Sequence, residues 1–476
     1  MTCGKVRWRA SGGTATYANV DVRWDRDLRV AVCTGRGRGE VLDCGLVLLH
    51  EIPVLMPVMM KLHLVWKRFA RVGLSLLFGL GALACSAVAH SEDSATRREL
   101  NLPATPFNYT DVDWPPHFAS AMERFDNTPE DNPLTDHGAT LGRVLFYDTT
   151  LSANGTTSCA SCHKQSLAFT DDEPLSTGFD GEKVARNSMS LVNVRFYQRG
   201  RFFWDERART LEQQVLMPIE NPIEMGHELN ALVNQLQADP IYPPLFDNAF
   251  GSGEVTQDRI AKALAQFVRS IVSFGSRYDE GLAAAGSYRR DFPNFTEQEN
   301  LGKDVFLRRA NCASCHMSNA LPFNPHRPDE PYDSRRRPAR QVAFFTMTTP
   351  AVNGVDADSD EVDLGVGVIS GSKDDRGRFK SPSLRNIELT GPFMHDGRFH
   401  TLDQVVEHYN WSIKPHPNLD GRLQNFAANG MGLPEVPKVA LVAFLKTLTD
   451  RSILSEEKWS DPFVHREGVS RDATTR

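Results

Sequence analysis

Two five-residue stretches decide the reading of this 476-residue chain: Cys159-Ala160-Ser161-Cys162-His163 and Cys312-Ala313-Ser314-Cys315-His316. Both are C-x-x-C-H. Two thiols at this spacing reach the two vinyl groups of one haem, and the histidine beside the second thiol reaches its iron. A zinc site would gather four ligands from neighbouring loops, whereas these pairs stand far apart in the chain. A dithiol-exchange motif does not need the histidine and rarely occurs twice. The expectation is two covalently bound haem c groups, attached at Cys159, Cys162, Cys312 and Cys315, with His163 and His316 as iron ligands.

The flanking sequence repeats with the motifs. Leu141-Gly142-Arg143-Val144-Leu145-Phe146 precedes the first and Leu301-Gly302-Lys303-Asp304-Val305-Phe306 the second. Apolar residues at spacings of three to four predict a short amphipathic helix in each. Thr296, with Glu299 three residues on, is a good N-cap for the second. Each half closes on another such stripe: Ile260, Leu264, Phe267, Val268, Ile271 and Val272, then Val439, Val442, Phe444, Leu445 and Leu448. Helix, haem motif, long loop and closing helix recur as a unit. The expected fold is mainly α: two c-type cytochrome domains, 100–285 and 290–455, each with one covalent haem, joined by a short linker. Gly281 to Pro293 supplies the linker's glycine, proline and charge. Pro322 to Asp375, rich in Pro, Arg, Asp and Gly, is expected to be a long surface loop.

The other cysteines, Cys3, Cys33, Cys44 and Cys85, fall in or before a targeting segment. Residues 60–89 read as a secretory signal peptide: a basic stretch of Lys61, Lys67, Arg68 and Arg71, an apolar core from Val72 to Leu83, and Ala87-Val88-Ala89 before His90. A retained anchor and a lipid-modified Cys85 are the competing readings. Because some sixty residues precede this signal, translation is expected to begin at Met59 or Met60, with 1–59 a misassigned extension. Export to the periplasm, where haem is attached to such motifs, follows.

Hydrophobic residues make up 41% and charged residues 24% of the chain, as in a soluble globular protein. The formal net charge is −7, which argues against nucleic acid as a partner and suits encounter with a basic redox protein.

Over roughly residues 130–450 the chain resembles the bacterial di-haem cytochrome c peroxidase and MauG superfamily. Three ordered stretches carry the likeness: LGRVLFYDTTLSANGTTSCASCH, FFWDERARTLEQQVLMPIENPIEMG and FKSPSLRNIELTGPFMHDGRFHTLDQVVEHYN. The resemblance implies that the first haem meets peroxide and the second passes electrons. It assigns Trp204 to the tryptophan between the haems, and Gln214, Glu224 and Pro218 to the distal side of the peroxidatic haem. There a carboxylate can move a proton between the peroxide oxygens. Without the motif, Glu224 would read as a surface carboxylate and Trp204 as core. Arg207 and Arg209 are expected to do no more than pair with haem propionates. His395 matches a histidine near the second haem, and Asn187, Thr390 and Pro392 match positions whose oxygens hold calcium between the domains.

Two departures matter. Where most peroxidases of the family place a methionine on the second haem, the equivalent here is Tyr409, as in MauG-like members. Tyrosinate stabilises oxidised iron and lowers its potential. The alternative is that Met394 or Met431 binds the iron while Tyr409 packs on its helix. Secondly, no histidine lies between Lys164 and Phe203, so the first haem is expected to be open to peroxide with both irons ferric.

The expected function is an exported peroxidase that reduces hydrogen peroxide with electrons from a small cytochrome c or cupredoxin, relayed through the second haem. The alternatives are a MauG-like oxidase that modifies a partner protein and a non-enzymatic di-haem electron carrier. A homodimer is an expected assembly.

Overall fold

The computed structural model describes residues 31–33, 44–46 and 98–464, less Gln198, 318–341, 347–348 and 360–361. Two compact units are distinguished, Met1–Ala95 and Thr96–Arg476. Of the first, two short antiparallel strands are described, Ala31–Cys33 and Cys44–Leu46, in the register Ala31↔Leu46, Val32↔Gly45, Cys33↔Cys44. The signal peptide expected at 60–89 lies outside the described residues. Among those described, no helix is long and apolar enough to cross a membrane.

The second unit is mainly helical, and its internal duplication is visible atom by atom. Helix Asp136–Tyr147 packs on helix Gln257–Ser270, and helix Glu297–Asp304 packs on helix Glu435–Lys446. The glycine of each Leu-Gly pair is what lets the backbones approach. A β-carbon on Gly142 would lie 2.0 Å from the Ala263 carbonyl oxygen, and one on Gly302 would lie 1.8 Å from that of Ala440. Next to these contacts the Phe146 and Phe267 rings are 5.1 Å apart, as are those of Phe306 and Phe444. The expected cap at Thr296 is present: Thr296 Oγ1 accepts from the Glu299 amide at 3.2 Å, and Glu299 Oε2 accepts from the Thr296 amide at 2.7 Å. The first closing stripe is wholly buried. In the second, Val439 is 40% exposed while Val442, Phe444, Leu445 and Leu448 are buried.

Three stretches depart from the linear plan. The expected linker begins inside helix Arg277–Ala285 and folds back, so that a β-carbon on Gly281 would meet the buried Phe292 ring at 2.4 Å. Within the expected surface loop, Ala343, Phe344, Phe345, Val352 and Val355 are core residues. Phe344 stacks on Phe196 of the first half at 4.5 Å, because apolar side chains there outweigh the polar composition around them. The chain also returns after the second half. Leu100 bridges to Phe463, Arg143 Nε donates to Ser460 O at 2.7 Å, and buried Trp459 donates to Ser270 Oγ at 3.3 Å.

The halves are joined by buried charge. Arg385 Nη1 and Nη2 bind the two carboxylate oxygens of Asp279 at 2.6 and 2.7 Å, and His117 Nε2 lies 2.7 Å from Asp279 Oδ1. This pairing holds the Asp279 carboxyl at about 2, against the burial that would raise it.

Candidate functional site

The first motif sits on a single helical turn, Cys159–Cys162, begun by a reciprocal Ser158–Ser161 cap. The i, i+3 spacing puts both thiols on one face. His163 ends the turn. Its Nδ1 lies 3.0 Å from the Phe169 carbonyl oxygen, which assigns Nε2 as the ring nitrogen to bind a metal. That carbonyl is presented by a tight loop in which Ala168 and Phe169 both adopt left-handed backbone (φ 54° and 59°), closed by Phe169 N to Lys164 O at 2.8 Å. Burial lowers the pKa of His163, which favours the neutral, ligating ring.

Helix Leu211–Glu220 carries Gln214 and Pro218 one turn apart on one face. Pro218 has no N–H, so the Gln214 carbonyl is released from its helical hydrogen bond. The helix stops at Asn221, whose carbonyl accepts from the amides of Glu224, Met225 and Gly226. This turn holds Glu224, and Asn221 Nδ2 donates to Glu224 Oε1 at 2.9 Å. Burial raises the pKa of Glu224, against the pull of the Arg207 charge and of Asn221. Glu224 and the first motif share one environment: burial pushes the Cys159 and Cys162 thiols up to about 12 and about 11, and the Glu224 charge adds to both shifts. Arg207 pairs with Asp205 at 3.1 Å and lies over the Phe203 ring at 3.5 Å, while Arg209 is exposed.

The second motif opens on a large apolar cavity of about 1430 Å³, counting its mouth. Cys312, Cys315 and His316 line one wall, and Tyr409, Met394, Met431 and His395 are also among the lining residues. All three candidate axial side chains therefore reach the same space. Asn353 joins two of them, its Nδ2 lying 3.4 Å from Met394 Sδ and 3.5 Å from the Tyr409 hydroxyl oxygen. Met394 is held with left-handed backbone, φ 76°. Burial pushes the Tyr409 phenol up to about 12, with the Asn353 hydrogen bond opposing it. His316 is depressed to about 4 by burial, against a raising effect of the Phe345 carbonyl. Its Nδ1 makes no direct hydrogen bond. Phe345, like Phe169, has left-handed backbone (φ 50°), but the hydrogen bond that Phe169 shares with His163 is not made at His316.

Both sites fit a covalent haem. Each offers two thiols and a neutral imidazole, and the second adds an apolar cavity lined also by Arg422, which is held by Asp420 at 2.6 Å.

Trp204 is tied to both halves of the chain. Its indole N–H donates to the Asn187 carbonyl at 2.8 Å, its own carbonyl accepts from the Lys380 amide at 2.8 Å, and it lines the second cavity. The Asn187 amide donates in turn to the His395 carbonyl at 2.8 Å, and His395 stacks on Phe379 at 3.9 Å. Asn187 Nδ2 donates to the Pro174 carbonyl at 3.1 Å. Asn187 and Pro392 are buried and Thr390 is half-buried. Sequence reasoning missed Asn353, Lys380 and Arg422. Nothing in their local pattern marks them, since each acquires its place through contacts distant in the chain.

Comparisons with known proteins agree with this arrangement. Residues 136–286 match the family model described as di-haem cytochrome c peroxidase. The methylamine utilization protein MauG of Methylophilus methylotrophus is 31% identical over 322 residues, covering 67% of this chain and 84% of that protein. The cytochrome c551 peroxidase of Nitrosomonas europaea is 33% identical over 325 residues, covering 68% and 81%. Among solved structures, a MauG-like protein associated with microbial copper homeostasis aligns with a TM-score of 0.59 and 33% identity, covering 74% of this chain and 99% of that one. The chain belongs to the di-haem cytochrome c peroxidase family and is an oxidoreductase of that type.

Proposed function

We propose that this protein is an exported, periplasmic peroxidase that reduces hydrogen peroxide at the first haem site and is re-reduced through the second. The observation that carries the reading is Glu224, a carboxyl raised by burial and held by Asn221 beside Cys159 and Cys162. Haem bound at Cys159, Cys162 and His163 supplies the iron that accepts peroxide and its oxidising equivalents. Glu224 takes the proton from the near oxygen of peroxide and returns it to the leaving one, while Gln214 and Pro218 shape the same side. Trp204, anchored to Asn187 and Lys380, spans the two halves as the relay.

The electron donor in this reading is a small cytochrome c or cupredoxin meeting the second domain. A calcium ion held by oxygens of Asn187, Thr390 and Pro392 fixes the relay, and a homodimer is the assembly proposed. A second reading, MauG-like oxidation of a partner protein, draws on Tyr409 reaching the second cavity, because tyrosinate would retain an oxidising equivalent there.

The test is peroxide turnover by the haem-loaded protein with reduced cytochrome c. Sustained donor oxidation, lost on Glu224→Ala, supports the peroxidase. One equivalent of peroxide leaving a long-lived oxidised spectrum with little turnover favours the second reading. A ferric spectrum with no high-spin band and no response to peroxide would leave only an electron carrier.

A further inference from the structure

Beside Trp204 lies a buried acid–phenol pair that the proposed mechanism does not use. The Tyr197 hydroxyl donates to Glu206 Oε1, and both residues are buried. Arg199 Nε bonds both Glu206 oxygens at 3.0 Å, so the carboxylate is held to one geometry. Lys380 Nζ stands 4.3 Å from the centre of the Tyr197 ring, and the Lys380 amide donates to Trp204 O at 2.8 Å. Lys380 also lines the second cavity. Glu206 itself has left-handed backbone, φ 55°. A non-glycine residue there is strained and persists only where its surroundings hold it.

We propose that Tyr197 is a one-electron oxidation site of this enzyme, with Glu206 as its proton acceptor and Lys380 connecting it to Trp204 and the second cavity. The electron lost by Tyr197 fills the hole delivered through Trp204, and the phenolic proton passes along the existing hydrogen bond to Glu206. The products are a neutral tyrosyl radical and a protonated Glu206; charge and atoms balance. Lys380 makes the proton transfer obligatory, because an ammonium group facing the ring opposes any cationic radical on it. The oxidant is the peroxide-derived equivalent of the preceding reading, on which this inference rests for its natural source. Tyr197 is 3% exposed and Glu206 beside it is likewise buried, which keeps water from quenching the radical.

The experiment is electron paramagnetic resonance on the haem-loaded protein, frozen after one equivalent of peroxide. In parallel, oxidation by a photoexcited ruthenium tris-bipyridyl complex with a sacrificial quencher supplies the hole without peroxide. A tyrosyl signal is expected that narrows with ring-deuterated tyrosine and is absent in Tyr197→Phe. In Glu206→Gln it forms about a hundredfold more slowly, a kinetic effect that mere loss of packing would not produce. If the haems respond to peroxide but neither oxidant yields a signal dependent on Tyr197, the inference is overturned and the peroxidase reading stands. If only the ruthenium complex yields it and the haems do not respond to peroxide, Tyr197 is confirmed as the site and the peroxidase reading fails; if the haems do respond, the enzyme's own oxidant does not reach Tyr197 and the inference is overturned.

Discussion

Gly302 meets Ala440 as Gly142 meets Ala263, with added β-carbons 1.8 and 2.0 Å from the respective carbonyl oxygens. A methyl group at either position must push two helix backbones apart. Gly142→Ala and Gly302→Ala are each expected to cost about 1–3 kcal/mol or more. Urea unfolding followed by haem absorbance should show the loss, and an unchanged midpoint would mean that the helices slide freely.

Asn353 places one amide between Tyr409 and Met394. An N–H bond to phenolate oxygen is charge-assisted and stronger than one to a thioether, so on the reading that puts Tyr409 on the second iron, Asn353 supports that ligand over Met394. Asn353→Leu should raise that haem's potential by on the order of 100 mV and strengthen methionine ligation in its ferric spectrum. A spectrum and potential identical to wild type would remove Asn353 from ligand choice.

Glu224 is raised by burial, so its basic form is lost earlier on acidification than that of an ordinary carboxylate. Peroxide reduction should hold at neutral pH and fall as pH drops through a value above the usual glutamate range, near 4.3. In Glu224→Gln the rate should drop about a hundredfold and this acidic limb should disappear. Stopped-flow rates across pH provide the check; a limb that survives the substitution belongs to another group.

The Asp279 carboxyl, lowered to about 2 by the buried Arg385 and by His117, stabilises the fold above the ordinary aspartate value. That contribution is lost as pH falls from about 4 to about 2. Asp279→Asn leaves Arg385 buried and unpaired, at a cost of about 3 kcal/mol. Thermal melting at neutral pH should reveal it, and the variant's stability should depend less steeply on pH between 4 and 2.

The amino-acid sequence by itself determined the local chemistry: thiols three residues apart with a histidine beside them, the Leu-Gly stripes, the Thr296 cap and the closing stripe through Ile260, Leu264 and Phe267. These are properties of neighbours, and helical periodicity or covalent spacing is enough to read them. Only the tertiary structure decided the rest. The Phe345 carbonyl acts on His316 across a gap of 28 residues, where the Phe169 carbonyl meets His163 across five, so loop length hides the likeness. Polar composition marked 322–375 as surface, yet Phe344 and Phe345 enter the core there. Trp459 returns to the first half although it follows the second. The meeting of Asn353, Met394 and Tyr409, and that of Tyr197, Glu206 and Lys380, depends on chain path. Side-chain reach is a few ångströms, and no local pattern records which distant segments come within it.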